Sequence, residues 1–454
     1  MSVAAQKIAV IGAGYAGMAA AATLAAEGKI VDVFETSRTL GGRARAVPLG
    51  DETLDNGQHI LVGAYTETLR LMKIVGADPT KLLKRIPLRL EFPGEFLLVA
   101  PRLPAPLHLA FALLAARGIT WREKFAAVRL MQGLQRDKFR IQPDISVAQW
   151  LSDHPTAAAQ GIRKAPLCAG IAGRLCKADT AHHDKLRKVM WEPLCIAALN
   201  TPVADASAQV LANVLRDSLA SNRAASDFLL PQVDLSNLFP EPAAAFVEAH
   251  GGKIHRQHRV TNLRSVGNHW QIDDDQIYDQ VILAVAPYHL AALVPELARS
   301  VEHFAWEPIV TTYLSYPGHV RLPQAMLGIS DGYAQWLFDR GTLCGQHGMI
   351  AAVISARGRH LDIPMSELER HIHAEIGRLI PDLPEPIIVQ TITEKRATFS
   401  CVPNLQRPML HTHLPGLFLA GDYVAGDYPA TIEGAVRAGV AAALVVLAPD
   451  KIST

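Results

Sequence analysis

Ile8-Ala-Val-Ile-Gly12-Ala-Gly14-Tyr-Ala-Gly17-Met-Ala-Ala-Ala-Ala-Thr-Leu-Ala-Ala26 is the stretch on which the fold turns. It carries no charge, and its length suits a membrane span or a signal peptide. The three glycines argue otherwise. Ile8–Ile11 has the composition of a short buried strand, and Ala19–Ala26 is helix-forming. A strand, a tight glycine turn and a helix account for the whole segment. In such a turn Gly12 permits the bend, Gly14 lets the backbone approach a phosphate, and Gly17 lets helix pack on strand. Unpaired N–H groups and the helix dipole favour a pyrophosphate at the helix start. Ile30–Glu35 reads as a second strand, and Glu35 stands where a carboxylate accepts ribose hydroxyls and repels a 2′-phosphate. A dinucleotide site is expected here, against the plainer reading of a glycine turn between packed elements.

Further along, Arg38-Thr-Leu-Gly41-Gly42-Arg43 sets two glycines beside arginines, a pattern that suits bidentate phosphate contacts. A second α/β block lies mid-chain. It has a helix over Ala243–His250, strands over Lys253–Val260 and His269–Asp273, and the buried strand Val281–Val285. A third block, Leu417–Ala420 followed by a helix from Ile432 to Leu447, closes the α/β pattern. One nucleotide-binding domain from 1–95, 241–290 and 411–454 is the simplest assembly. A mixed α+β substrate domain would then take 96–240 and 291–410. Strands are expected over Ile309–Tyr316 and Met349–Ser355, and a helix over Ser366–Leu379.

Composition fits this. The 454 residues are 49% hydrophobic and 19% charged, enough for a large core and against disorder. A net charge of +1 argues against a polyanion binder, so no nucleic-acid partner is expected. Five cysteines without a CxxC pair fit a reducing, cytoplasmic setting. His182-His183 and His371-x-His373 lack a metal-ligand pattern, and Cys168 and Cys176 read as apolar fillers, so no metal is expected.

Two segments stay open on the residues alone. Asp55-Asn56-Gly57-Gln58-His59 is either a site-lining loop or a solvated turn. Leu107–Ala116 is apolar nearly all round and too short to span a bilayer. After it comes the capping box Thr120-Trp-Arg-Glu123. Arg117, Arg122, Lys124, Arg129, Arg136, Lys138 and Arg140 face only Glu123 and Asp137. The pair suits insertion into an anionic membrane surface, or equally a core helix beside a solvated one.

Taken together, GAGYAGMAAA with LGGRA, DNGQHILVGA at Asp55–Ala64, LPAPLHLAFALL at Leu103–Leu114 and LAGDY…YPATIEGA resemble the FAD-dependent amine oxidase and carotenoid desaturase superfamily. Within it the chain resembles the hydroxysqualene dehydroxylases, the squalene-associated FAD-dependent desaturases. The resemblance implies an amine-oxidase-like two-domain flavoprotein of α/β class with a Rossmann-like FAD domain. It implies reductive dehydroxylation of hydroxysqualene to squalene in bacterial squalene and hopanoid biosynthesis, with an electron donor that reduces FAD. It also implies that Gly12, Gly14, Ala16, Gly17, Glu35, Gly42, Arg43, Gly57, Gly421 and Asp422 hold FAD. Val260 would contact adenine from a strand, and Ile432 would offer its amide to the flavin. Loss of the allylic hydroxyl needs a proton donor, for which His59 and Tyr428 stand beside the two flavin-lining motifs. The insoluble substrate points to the inner face of the bacterial membrane. Two other readings share these motifs: a desaturase or oxidase of a polyene or amine, and a prenyl-binding carrier.

Overall fold

The computed structural model describes residues 6–50, 52–153, 185–273 and 276–448. Cys168, Cys176 and His182-His183 lie outside them. Ten strands carry the two largest sheets. They are β1 (Ile8–Ile11), β2 (Val31–Glu35), β3 (Lys253–Arg256), β4 (Gln280–Leu283), β5 (Trp306–Ser315), β6 (Met326–Gly328), β7 (Trp336–Asp339), β8 (Met349–Ser355), β9 (Ile388–Phe399) and β10 (Leu417–Leu419).

The first sheet is all parallel, in the order β3-β2-β1-β4-β10. Its central strand β1 is buried at every residue, as the unbroken apolar run requires when helices cover both faces. The glycine turn leads into α1 (Tyr15–Ala26), of which all but Ala26 is buried. α1 lies against the helix Ile432–Leu447 so closely that a Cβ on Gly439 would stand 2.1 Å from the Ala16 carbonyl oxygen. A Cβ on Gly17 would stand 1.9 Å from the Gly12 oxygen. Small residues let these backbones meet, which draws pieces of chain some 400 residues apart into one layer.

The second sheet runs β6-β7-β8-β5-β9, with all pairs antiparallel. One face packs on the helix Met365–Gly377, and the other faces the nucleotide sheet across a cavity. One sequence expectation shifts. The strand expected over Lys253–Val260 ends at Arg256, because Gln257 takes a left-handed φ of 56° and breaks the ladder. Val260 therefore sits in a loop. The stretch between Leu103 and Leu238 is largely helical where described, but Phe228–Pro231 is a fully buried strand.

α2 (Leu107–Ala115) and α3 (Trp121–Arg136) form a hairpin at the surface. The capping box is present: the Glu123 N–H donates to the Thr120 hydroxyl, and the Thr120 N–H donates to the Glu123 carboxylate. His108 and Ala112 face inward, while Leu109 and Leu113 pack partly against the core. Leu107, Phe111 and Leu114 are about half exposed, and Trp121 and Phe125 more so.

Candidate active site

A cavity of about 700 Å³ runs from the carboxyl ends of β1 and β2 to the inner face of the second sheet. At one end the glycine turn forms its floor. The Gly12 N–H donates to the Phe34 carbonyl at 2.8 Å, with φ of 104°. A Cβ there would come 2.7 Å from the Ala284 oxygen, so only glycine fits. Gly14 caps α1 without a side-chain acceptor, leaving first-turn N–H groups for an anion. Gly14 and Gly42 face each other with only hydrogen between the backbones; a Cβ on Gly42 would lie 3.2 Å from the Gly14 Cα. Ala16 lines the same end, whereas Gly17 lies beneath it as a packing residue.

Glu35 faces this end, and its carboxylate ties two loops together. One oxygen accepts from the Ala13 N–H at 2.8 Å, the other from the Ser37 N–H at 2.7 Å. The loop residues His258, Arg259 and Val260 close the wall beside it.

The middle of the cavity is set by Arg43 and Asp422. Arg43 Nη2 stands 2.7 Å from each Asp422 oxygen, and Nη1 donates to the Ala397 carbonyl at 2.7 Å. The two residues expected to contact cofactor separately thus form one ion pair in its wall. Gly421, with φ of 158°, and Ile432 border it, and Tyr423 places a buried hydroxyl there with no hydrogen-bond partner among the described residues. Behind this wall Arg407 gathers the loop, donating to the carbonyls of Asp422, Tyr423, Val424, Gly426 and Tyr428.

Of the segment Asp55–His59, Asn56, Gly57, Gln58 and His59 line the cavity. Asp55 is buried and takes no part in the cavity surface. Its carboxylate accepts from the Leu235 N–H at 2.8 Å and faces Arg340 Nη1 at 3.4 Å. Burial pushes the Asp55 carboxyl up to about 6, against the pull of Arg340. The same Arg340 nitrogen donates to Gln58 Oε1 at 2.7 Å, so one buried guanidinium anchors both ends of the loop. Asn56 Nδ2 donates to the Arg43 carbonyl at 3.0 Å and to Glu394 Oε2 at 3.1 Å. Gly57, with φ of 147°, borders the cavity.

The two proton donors expected from sequence part company in the structure. His59 lines the cavity, but its Nδ1–H donates to the Gly57 carbonyl at 2.7 Å. Burial lowers its pKa, so the ring is neutral and offers Nε2 as an acceptor. Tyr428 is absent from the cavity wall, and its hydroxyl donates to Asp217 at 2.8 Å. Sequence reasoning passed over Glu394, Arg340 and the second sheet's contribution. That contribution is an apolar wall of Ile309, Trp336, Phe338 and Val353, faced by Ile196 and Ala198. Among the described residues no group of His, Cys, Asp and Glu could hold a metal ion.

A dinucleotide cradle opening onto an apolar chamber defines a flavin-dependent oxidoreductase, and the chain belongs to the flavin-containing amine oxidoreductase family, whose profile matches residues 15–447. Within that family it stands among the hydroxysqualene dehydroxylases. It is 30% identical to the hydroxysqualene dehydroxylase of Rhodopseudomonas palustris, over 97% of this chain and 98% of that one. It is 28% identical to the hydroxysqualene dehydroxylase of Sinorhizobium fredii, over 96% of each. Among solved structures, an oxidoreductase from Methanosarcina mazei shares the fold with a TM-score of 0.68 at 15% identity, covering 96% of this chain and 99% of that one.

The cofactor of this family is FAD, and the residues present suit it. The side-chain-free backbones at Gly12, Gly14 and Gly42 admit a pyrophosphate. The open α1 N-terminus favours its charge, and the orphaned Tyr423 hydroxyl awaits a polar partner in the same wall.

Proposed function

We propose that the protein reductively dehydroxylates hydroxysqualene to squalene with FAD. The observation that carries this reading is the continuity of the nucleotide cradle with the wall of Ile309, Trp336, Phe338 and Val353. The kinship with hydroxysqualene dehydroxylases names the substrate. Reduced FAD, when bound, supplies a hydride, and an electron donor restores it between turnovers. The residues proposed to hold it are Gly12, Gly14, Ala16, Glu35, Gly42, Arg43, Gly57, Val260, Gly421, Asp422 and Ile432, all on the cavity surface. Gly17 acts indirectly, by seating α1.

The chain's own contribution is positioning and the exclusion of water. The apolar wall gathers isoprenoid methylenes, each worth about 0.8 kcal/mol when buried. It also keeps water from an allylic cation, which water would return to the alcohol. Anaerobic mixing of pre-reduced holoenzyme with hydroxysqualene should give squalene, with FAD reoxidised in step. Oxygen-dependent dehydrogenation of a polyene without squalene would assign the protein to the desaturases instead.

We further infer that the α2–α3 hairpin rests on an anionic membrane, on the cytoplasmic leaflet. Leu107, Phe111, Leu114, Trp121, Phe125 and Val128 are its exposed large apolar residues, and Arg117, Arg122, Arg129, Arg136, Lys138 and Arg140 are exposed in the same stretch of chain. Lys124 turns inward and donates to the Leu114 carbonyl at 2.6 Å, locking the two helices together. Among the described residues no helix is long and apolar enough to cross a membrane. Contact at the surface is the mode this geometry supports.

A further inference from the structure

Three carboxylates line the cavity: Glu35, Asp422 and Glu394. Glu35 is held by two backbone N–H groups, and Asp422 by both contacts to Arg43. Glu394 is held differently. It lies on β9 in a cross-strand row with Ile309 of β5 and Ser355 of β8, and all three line the cavity. Its Oε2 accepts from Asn56, the loop residue next to Gly57, at 3.1 Å. Its Oε1 has only a long contact from the Arg396 N–H, at 3.3 Å. Among the described residues no cation pairs with it in an ion pair. Glu394 thus stands where the loop bordering the cofactor cradle meets the apolar wall.

Resting on the dehydroxylase reading, we infer that Glu394 is the acid that protonates the departing hydroxyl. Its carboxylic O–H bond breaks as the proton passes to the alcohol oxygen. The C–O bond then breaks with both electrons leaving on that oxygen as water. The allylic carbon, left positive, is closed by the hydride of the parent reaction, so the alcohol is reduced and FAD oxidised. Glu394 is left as a carboxylate, which opposes the charge on the allylic carbon, and it regains a proton from solvent. Arg43 is spent on Asp422, and the Nδ1–H of His59 on the Gly57 carbonyl, so neither competes for this role.

Glu394→Gln keeps the shape and an acceptor for Asn56. The purified holoenzyme should therefore keep its flavin content and absorption spectrum. In single turnovers with pre-reduced enzyme, squalene formation by the wild type should fall as pH rises. Glu394→Gln should be slower by about 100-fold or more and should lack that limb. Glu394→Ala should be partly restored by added formate, which a merely structural role would not allow. A Glu394→Gln rate within roughly threefold of wild type would overturn the inference, since an acid contributes more than that. So would a wild-type rate that rises with pH, which would make the carboxylate form the active one. If the wild type makes no squalene at all, the dehydroxylase reading falls and this inference with it.

Discussion

Replacing Arg340 with Met strips the paired cation from a buried carboxylate and unties the loop that borders the cavity. Arg340 Nη1 stands 3.4 Å from Asp55, and both side chains are almost fully enclosed. At that distance and an effective dielectric near 20 the attraction is about 5 kcal/mol. Breaking a buried pair by removing one partner typically costs 3–5 kcal/mol, because the other charge stays desolvated. A loss of about 3 kcal/mol at pH 8 is the expected value, with weaker FAD binding because Gln58 loses its donor. The sign of the pH dependence follows from Asp55. Its folded pKa is about 6 against an ordinary 3.8, so burial makes ionisation unfavourable in the fold. Wild-type stability from this group is therefore greatest below pH 3.8 and falls by roughly 3 kcal/mol as pH rises to about 6. Without Arg340 the carboxyl is harder still to ionise, so the variant should suffer most at pH 8 and much less at pH 5. Urea titrations of the holoenzyme at both pH values, followed by tryptophan fluorescence and flavin release, read this directly. Asp55→Asn combined with Arg340→Met should recover at least half the loss. A cost below about 1 kcal/mol at pH 8, or equal costs at both pH values, would refute a buried pair of this strength.

Glu35→Gln should raise the FAD dissociation constant about tenfold or more, since hydrogen bonds to a charged group are worth roughly 1.5–3 kcal/mol; the flavin should be released by acid precipitation, and its retention would show a covalent link. Gly439→Ala should cost about 2 kcal/mol or more, because the new methyl meets the Ala16 carbonyl, and a thermal midpoint equal to wild type would show that the two helices are not in that contact. Changing Leu107, Phe111 and Leu114 together to Ser should weaken sedimentation with anionic liposomes at low salt while flavin content holds; wild-type protein that ignores such liposomes removes the membrane proposal.

Local signals in the sequence were legible where one short stretch carried both pattern and purpose. Gly12, Gly14 and Gly17 read as a phosphate turn because the strand and helix that need them lie on either side. Ile432–Leu447 and Met349–Ser355 fall where their apolar patterns put them. The fold class follows from these pieces. Val260 misled because a β-like run gives no warning that Gln257 will take a left-handed φ. In α2 nearly every residue is apolar, so no face stands out, and only packing decides that Leu107, Phe111 and Leu114 point outward while Leu109 and Leu113 do not. The sequence could not pair Asp55 with Arg340, 285 positions away, or bring Glu394 to Asn56. Such contacts exist only once two sheets face each other, and a lone Glu on a long strand looks like any solvated charge. His59 and Tyr428 were adjacent to the right motifs, but what each hydrogen-bonds is a tertiary fact.

The way the nucleotide sheet is assembled bears on how the protein is made in the cell. β2 is made within seconds of β1, but β4 and β10 lie hundreds of residues later. At roughly 5–20 residues per second, Ile11 leaves the ribosome about 20–80 s before Leu417. For that interval α1, whose residues are nearly all buried in the finished protein, lacks the helix Ile432–Leu447 that covers it. A greasy 19-residue stretch without charge must wait uncovered, and it resembles the very segments that targeting factors and holding chaperones bind. Expression yield should therefore respond more to chaperone supply, to growth temperature and to translation speed than the stability of the completed fold would suggest.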